Sequence, residues 1–255
     1  MEYVHEDYEF LKGREQLLMP KWNYMERQTD ITFNMRQILV NWLVEVEIEY
    51  GLETETIYLA VSYIDRFLSS MFVERSKFQL VGTTCLFIAA KYEEILPPRV
   101  VEFALITDDT YTVNQILRME LIVLGVLGYR VSGITSHQFV HRYCHMFQMK
   151  GQALHLALYL NELGLLDGKT FLKYPPSLQA ASSIVLARYT LGTEALSDSM
   201  AEEVGYCLDE LKECVVAVQK MFEDAPNSAQ QAVREKYKHY RFSNVANEVS
   251  PVNIM

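Results

Sequence analysis

The apolar pattern of the chain centres on Met35–Val46, which reads Met-Arg-Gln-Ile-Leu-Val-Asn-Trp-Leu-Val-Glu-Val. Wound at about 100° per residue, it carries hydrocarbon on almost every side, the pattern of a central helix with neighbours all round. Two features break it. Arg36 is a permanent charge that has to be paired wherever it is buried. The stripe Met35–Ile38–Trp42 also runs on into the carboxylates Glu45 and Glu49. Spacing alone makes Met35, Ile38, Leu39 and Trp42, at i, i+3, i+4 and i+7, core residues.

The punctuation around this segment is helical throughout. Residues 2–17 have an amphipathic pattern, Met19-Pro20-Lys21 breaks it, and an extended segment runs to Asp30. Thr54 is placed to cap a helix over Glu55–Met71. Ser76 with Gln79, Thr112 with Gln115 and Thr135 with Gln138 have capping-box spacing. Pro97-Pro98 ends the helix that contains Lys91-Tyr92-Glu93-Glu94, and Pro175-Pro176 and Pro226 mark two further boundaries. Alternating patterns bounded by turn pairs are missing, so the chain is predicted all-α.

A repeat runs through it. A shift of 97 residues lays Thr56–Tyr92 over Ala153–Tyr189 without a gap. Leu59-Ala60 then falls on Leu156-Ala157, Asp65 on Glu162, and Ala90-Lys91-Tyr92 on Ala187-Arg188-Tyr189. Two related helical domains are expected, meeting near Gly128–Gly133.

Composition narrows the class. Of 255 residues 50% are hydrophobic and 22% charged, as in an ordinary globular protein. A formal net charge of -10 argues against unassisted binding to a phosphate backbone, and so against a helical nucleic-acid scaffold. No apolar run reaches the roughly 18–20 residues of a membrane span. Acidic residues crowd the start, where a signal peptide would be basic and then apolar. Cys85, Cys144, Cys207 and Cys214 form no C-x-x-C pair and lie in apolar stretches, which reads as buried free thiols in a reducing compartment. An intracellular, soluble protein is expected.

Catalytic signatures are scarce. Gly164–Thr170 ends in Gly-Lys-Thr but has the wrong glycine spacing for a phosphate loop, so it reads as an interhelical turn. His137, His141 and His145 share a helical face but spread over about 12 Å, too far for one metal ion to engage all three. No nucleophile–base arrangement can be read, and no cofactor is implied. Arg36, Asp65, Lys91 and Glu120 are single charges in four apolar helical segments. Either they compensate one another where helices converge, or each reaches the surface by itself.

At these residues a family resemblance enters. Met35–Val46, Tyr63-Ile64-Asp65-Arg66-Phe67-Leu68-Ser69-Ser70, Lys91-Tyr92-Glu93-Glu94-Ile95, Ile106–Tyr111 and Arg118-Met119-Glu120 resemble successive signatures of the cyclins. Leu172-Lys173-Tyr174-Pro175-Pro176-Ser177 and Arg234-Glu235-Lys236-Tyr237-Lys238 are most similar to A-type members. The resemblance implies two tandem five-helix cyclin-box domains with flanking N- and C-terminal helices. The divisions expected are 1–32 for the N-terminal helix and linker, 33–132 and 133–225 for the boxes, and 226–255 for the C-terminal helix and tail. It also implies a protein without catalytic activity, the regulatory subunit of a cyclin-dependent Ser/Thr kinase, in the nucleus and cytoplasm.

Carried over motif by motif, the kinase-facing residues are Lys91, Tyr92, Glu93, Glu94, Ile95, Glu120, Leu124 and Tyr129. Lys91–Glu120 and Arg36–Asp65 become internal charge pairs. Met35, Ile38, Leu39, Trp42, Glu45, Arg75, Phe78 and Gln79 become a groove for Arg-x-Leu segments of substrates and inhibitors. Phe78 stands where the family usually has leucine, Gln37 and Asn41 replace alanine and aspartate, and Tyr92 and Tyr129 replace phenylalanine. Asp7 lies where an apolar residue is common. Neither a destruction box nor a basic import run precedes the first helix.

Overall fold

The computed structural model describes residues 2–251, with side chains from Tyr8 onward apart from Glu9. The reading of Asp7 lies outside the described residues. Helices make up the regular structure among them. They fall into two compact units, Gln16–Ile134 and Met1–Glu15 with Thr135–Met255.

The chain opens with α1 (Glu2–Leu18), and a link with one 3-10 turn at Tyr24–Arg27 leads to α2 (Phe33–Tyr50). Next come α3 (Thr54–Leu68), α4 (Arg75–Glu93), α5 (Val100–Leu105) and α6 (Val113–Val126). The hub of this unit is α4. Every residue from Leu80 to Ala90 is buried, and α2, α3, α5 and α6 all pack on it. This corrects the expectation that Met35–Val46 is surrounded: α2 buries Arg36, Leu39, Val40, Leu43, Val44, Val46 and Glu47 and leaves Ile38, Glu45 and Ile48 exposed. The reason is steric. Gly82, Thr83, Thr84, Cys85, Ala89 and Ala90 keep α4 thin enough for four neighbours to approach, whereas the bulky side chains of α2 do not.

Local chemistry sets the ends. Thr32 caps α2, its hydroxyl accepting from Met35 N–H at 3.3 Å, and Gly51 closes it in the left-handed region. Thr112 and Gln115 form a reciprocal box on α6. Two expected caps differ. Thr54 is inside α3, and its hydroxyl donates to Glu47 at 3.0 Å; α4 starts at Arg75, so Ser76 is already helical. The link is pinned by Gln28, whose amide donates to the carbonyls of Leu68 (3.0 Å) and Met71 (2.7 Å) and accepts from Val73 N–H (3.1 Å).

The other unit holds α7 (Ser136–Met146), α8 (Gln152–Leu166), the single turn α9 (Gly168–Phe171), α10 (Pro176–Thr190), α11 (Asp198–Val204), α12 (Leu208–Asp224) and α13 (Ala232–Tyr237). Here α10 is the hub, buried from Ala180 to Ala187 and packed by α7, α8 and α12. The 97-residue shift carries α3 onto α8 and α4 onto α10 within a few residues. Gly164 lies inside α8 against the Phe171 ring, so the expected turn is instead a helix end followed by α9. Cys85, Cys144 and Cys214 are buried, but Cys207 is exposed at the start of α12.

Most of α1 groups with this unit, a different division from the 1–32 segment read from sequence. Polar side chains explain it. Tyr8 Oη donates to the Val204 carbonyl (2.6 Å) and meets Tyr143 Oη (2.9 Å). Glu15 is buried and accepts from both Ser177 N–H (2.8 Å) and Ser177 Oγ (2.7 Å) at the start of α10. Burial pushes the Glu15 carboxyl upward, and the Ser177 bonds oppose that.

Candidate functional site

Beneath α2 lies a closed charge pair. Arg36 Nε and Nη2 each donate to an Asp65 oxygen at 2.7 Å, and Tyr24 Oη donates to Asp65 Oδ1 at 2.8 Å. All three are buried. Burial by itself would make Arg36 less basic, but the charge and bidentate bonds of Asp65 outweigh it, and the guanidinium ends more basic than usual. Burial, then the charge of Asp65, raise the Tyr24 phenol well above its ordinary value, so it stays a neutral donor.

A second carboxylate occupies the repeat-related position. Glu162 on α8 is fully buried and accepts from Lys236 Nζ at 2.8 and 3.0 Å and from Tyr237 Oη at 2.8 Å. The arrangement parallels the first, a helix carboxylate met by a cation and a tyrosine; here both come from α13, whereas Arg36 lies on α2 and only Tyr24 comes from the link. Sequence reading named neither Lys236 nor Tyr237 as Glu162's partners. The signal was the register that laid Asp65 on Glu162, together with the basic stretch at 234–238.

Around the end of α4 the kinase-facing candidates gather. Lys91 pairs with the buried Glu120 of α6, and its ammonium lies 4.4 Å over the Phe87 ring. Tyr92 and Glu93 are exposed, and Ile95 is 97% exposed with Leu96 beside it. Glu94 is differently engaged. Its carboxylate accepts from Thr56 Oγ1 (2.6 Å) and Glu53 N–H (2.9 Å), which ties the end of α4 to the start of α3.

On α6 a second apolar face flanks the core stripe. Ile116, Glu120, Val123 and the following Leu127 are turned inward; Leu117, Leu121 and Ile122 are exposed and Leu124 is half-buried. Tyr129 is exposed, its backbone left-handed like that of Gly128, with its N–H donating to the Leu124 carbonyl at 2.9 Å. Val101 and Leu105 on α5 are exposed too. Sequence reasoning missed Leu117, Leu121, Ile122, Leu96, Val101 and Leu105. The available signal was the i, i+4, i+7 set Leu117, Leu121, Leu124 beside a complete core stripe.

The groove candidates lie where α2 meets α4. Leu39 and Phe78 are buried; Met35, Trp42 and Gln79 are half-buried; Ile38 is 51% exposed, and Glu45 and Arg75 are exposed. Asn41 Nδ2 donates to Glu45 Oε1 at 2.8 Å and orients that carboxylate. Beyond Arg75 and Gln79 the surface opens into a hollow of about 570 Å³ that also takes in Asp30, Glu74 and Tyr111.

Gly82 is what lets Leu39 lie flat. A Cβ at Gly82 would stand 2.7 and 2.9 Å from the two Leu39 methyl carbons. Gly82→Ala is expected to destabilise the unit by about 1–3 kcal/mol through overpacking. A denaturant midpoint equal to wild type would mean that Leu39 turns aside without cost.

Among the described residues no group of three or more His, Cys, Asp or Glu could hold a metal ion, and no helix is long and apolar enough to cross a membrane. His137 and His141 bring their Nε2 atoms to 3.1 Å.

Comparison with known proteins decides the family. The model for "Cyclin, N-terminal domain" matches residues 6–132 and that for "Cyclin, C-terminal domain" matches residues 134–251. The chain belongs to the cyclin family. It is 47% identical over 250 residues to the G2/mitotic-specific cyclin-A of Patella vulgata, covering 98% of this chain and 58% of that protein. The chain thus spans little more than half the length of such curated relatives. A viral cyclin structure from herpesvirus saimiri superposes with a TM-score of 0.73 at 22% identity, over 84% of this chain and 95% of the other. A chain of the yeast RNA polymerase II CTD kinase CTDK-1 complex gives 0.64 at 14%, over 96% and 84%. The fold is two tandem cyclin domains, with α2–α6 as the five helices of the first.

Proposed function

We propose that this cyclin is the activating, non-catalytic subunit of a cyclin-dependent Ser/Thr kinase and controls cell-cycle progression in the nucleus and cytoplasm. The observation that carries the reading is the apolar face left open on α6 beside the Lys91–Glu120 pair, in a chain so similar to cyclin A. Such a face is rigid. The pair joins α4 to α6, and Glu94 fixes the turn that presents Ile95 and Leu96. A kinase becomes competent when its regulatory helix moves inward to complete a Lys–Glu pair and its activation loop is released. An apolar platform that binds only the inward position shifts the kinase toward it. Lys91, Tyr92, Glu93, Ile95, Leu124 and Tyr129 form the platform, and Glu94 and Glu120 hold it in shape. The relative named for G2 and mitosis, and the kinase complex that holds a similar chain, support the same reading.

A second role concerns substrates. In this reading Met35, Ile38, Leu39, Trp42 and Phe78 take the leucine of an Arg-x-Leu segment, while Glu45 attracts its arginine and Gln79 bonds its backbone. Burying one leucine contributes about 1.5–3 kcal/mol. After the cost of ordering the segment, that gives weak, reversible docking.

The test is a kinase assay. Purified chain is expected to raise the phosphorylation rate of a partner cyclin-dependent kinase and to have no such activity alone. Failure with several such kinases would sink the reading. Trp42→Ala is expected to weaken binding of an Arg-x-Leu peptide about tenfold, with little change for a substrate lacking that segment. Equal loss of both would make Trp42 structural.

A further inference from the structure

Beside Tyr129, the Gln16–Ile134 unit carries an open cleft of about 410 Å³ between the end of α1, the link after it, the last turn of α3 and the end of α6. Its lining includes three cations, Lys21, Arg66 and Arg130, and no carboxylate. In a chain with formal net charge -10 that is a local reversal of sign. None of the three forms an ion pair among the described residues. Asp65, next to Arg66 in sequence, already has both oxygens engaged by Arg36 and one also by Tyr24.

The backbone holds these cations together. Arg66 Nη2 donates to the Arg130 carbonyl at 2.8 Å, which anchors one guanidinium at the root of the other residue. Lys21 N–H donates to Ser69 Oγ at 2.9 Å, and that hydroxyl donates to the Asp65 carbonyl at 2.7 Å. Arg66 Nη1 is shut off from solvent without a hydrogen-bond partner. Burial makes Arg66 less basic than usual, and the charge of Arg130 works in the same direction while Tyr63 opposes it. Lys21 and Arg130 add two cations to a cleft whose wall holds Arg66, and an anion between them offsets their mutual repulsion.

We propose that this cleft binds a phosphate monoester, the dense, multivalent anion that guanidinium and ammonium donors match together. Inorganic phosphate and a phosphorylated serine or threonine share that chemistry. Leu17, Met19 and Pro20 line the same cleft, and this apolar wall favours the peptide-borne group. The cleft borders the proposed kinase platform at Tyr129, between Gly128 and Arg130; phosphate binding is read without any kinase, so its failure is distinguishable from failure of that platform.

The experiment is fluorescence anisotropy on the full chain at low salt. The probe is a labelled leucine-flanked phosphoserine peptide, with inorganic phosphate as competitor and the unphosphorylated peptide as control. Lys21 and Arg130 are exposed, and the bonds just described use their backbone atoms, so Lys21→Gln and Arg130→Gln are expected to keep the wild-type melting temperature. Each is expected to weaken the phosphopeptide by about tenfold, while Lys212→Gln on α12 changes nothing. Displacement by phosphate, with no tighter binding of the phosphopeptide, assigns the site to the free ion. Absence of saturable binding, or equal loss with Lys212→Gln, overturns the proposal.

Discussion

Arg36→Met is expected to lower the stability of the Gln16–Ile134 unit by about 3–5 kcal/mol. The substitution keeps most of the side-chain volume, so little of the loss comes from a cavity. It leaves Asp65 ionised and buried with only the Tyr24 hydroxyl, bonded at 2.8 Å. An unpaired charge in that position costs far more than the net worth of the pair, because both ions were desolvated to form it. Asp65→Asn is expected to do comparable harm by stranding the guanidinium. Arg36→Met combined with Asp65→Leu is expected to recover part of the loss, since no buried charge then remains. Urea unfolding of the three variants is the measurement, and a loss below about 1 kcal/mol in both single variants would show that water reaches the pair. The same logic applies to Glu162→Gln, which removes the carboxylate that Lys236 bonds at 2.8 and 3.0 Å; its effect is expected in the other unit.

This pair also shows how much of the fold could be read from sequence. Four lone charges on four apolar segments were visible, as was the register that set Asp65 against Glu162. The resemblance paired Arg36 with Asp65 and Lys91 with Glu120, as the structure does; Tyr24 and Lys236–Tyr237 were not named, because they come from flanking segments whose own patterns say nothing about where they dock. The hub helices were hidden for a related reason. Apolar volume points to Met35–Val46, but centrality follows from thinness, and the Gly, Ala, Cys and Thr of α4 look unremarkable in any hydropathy pattern. Caps were legible at Thr112 and Thr135, whose hydroxyls accept from Gln115 and Gln138 N–H; Thr54 donates to Glu47 instead. The groove was the least legible. Its proposed residues have core spacing, and the family resemblance grouped Ile38, Trp42 and Leu39 together; only burial sets the exposed Ile38 and half-buried Trp42 apart from Leu39. The face of α6 was legible in principle, since a helix with two apolar stripes must cover the second with something.

That second stripe carries the largest functional effect. Leu121→Asp is expected to weaken binding of the partner kinase about 30-fold or more, with the melting temperature of the chain unchanged. Leu121 is 67% exposed, so a carboxylate there remains solvated in the free protein and is desolvated only in the complex. Leu124→Asp is expected to lose affinity as well, but Leu124 is half-buried and part of that loss will appear as instability. Glu94→Arg is the poorer probe despite its place in the motif. It removes the acceptor for Thr56 and Glu53 N–H, so the α3–α4 junction moves before any kinase is added. Leu208→Asp, a partly exposed position on α12, serves as the matched control. If Leu121→Asp binds as tightly as wild type while Leu208→Asp does not, the platform belongs to the other unit. If neither changes affinity, the apolar face of α6 is covered by something other than the kinase.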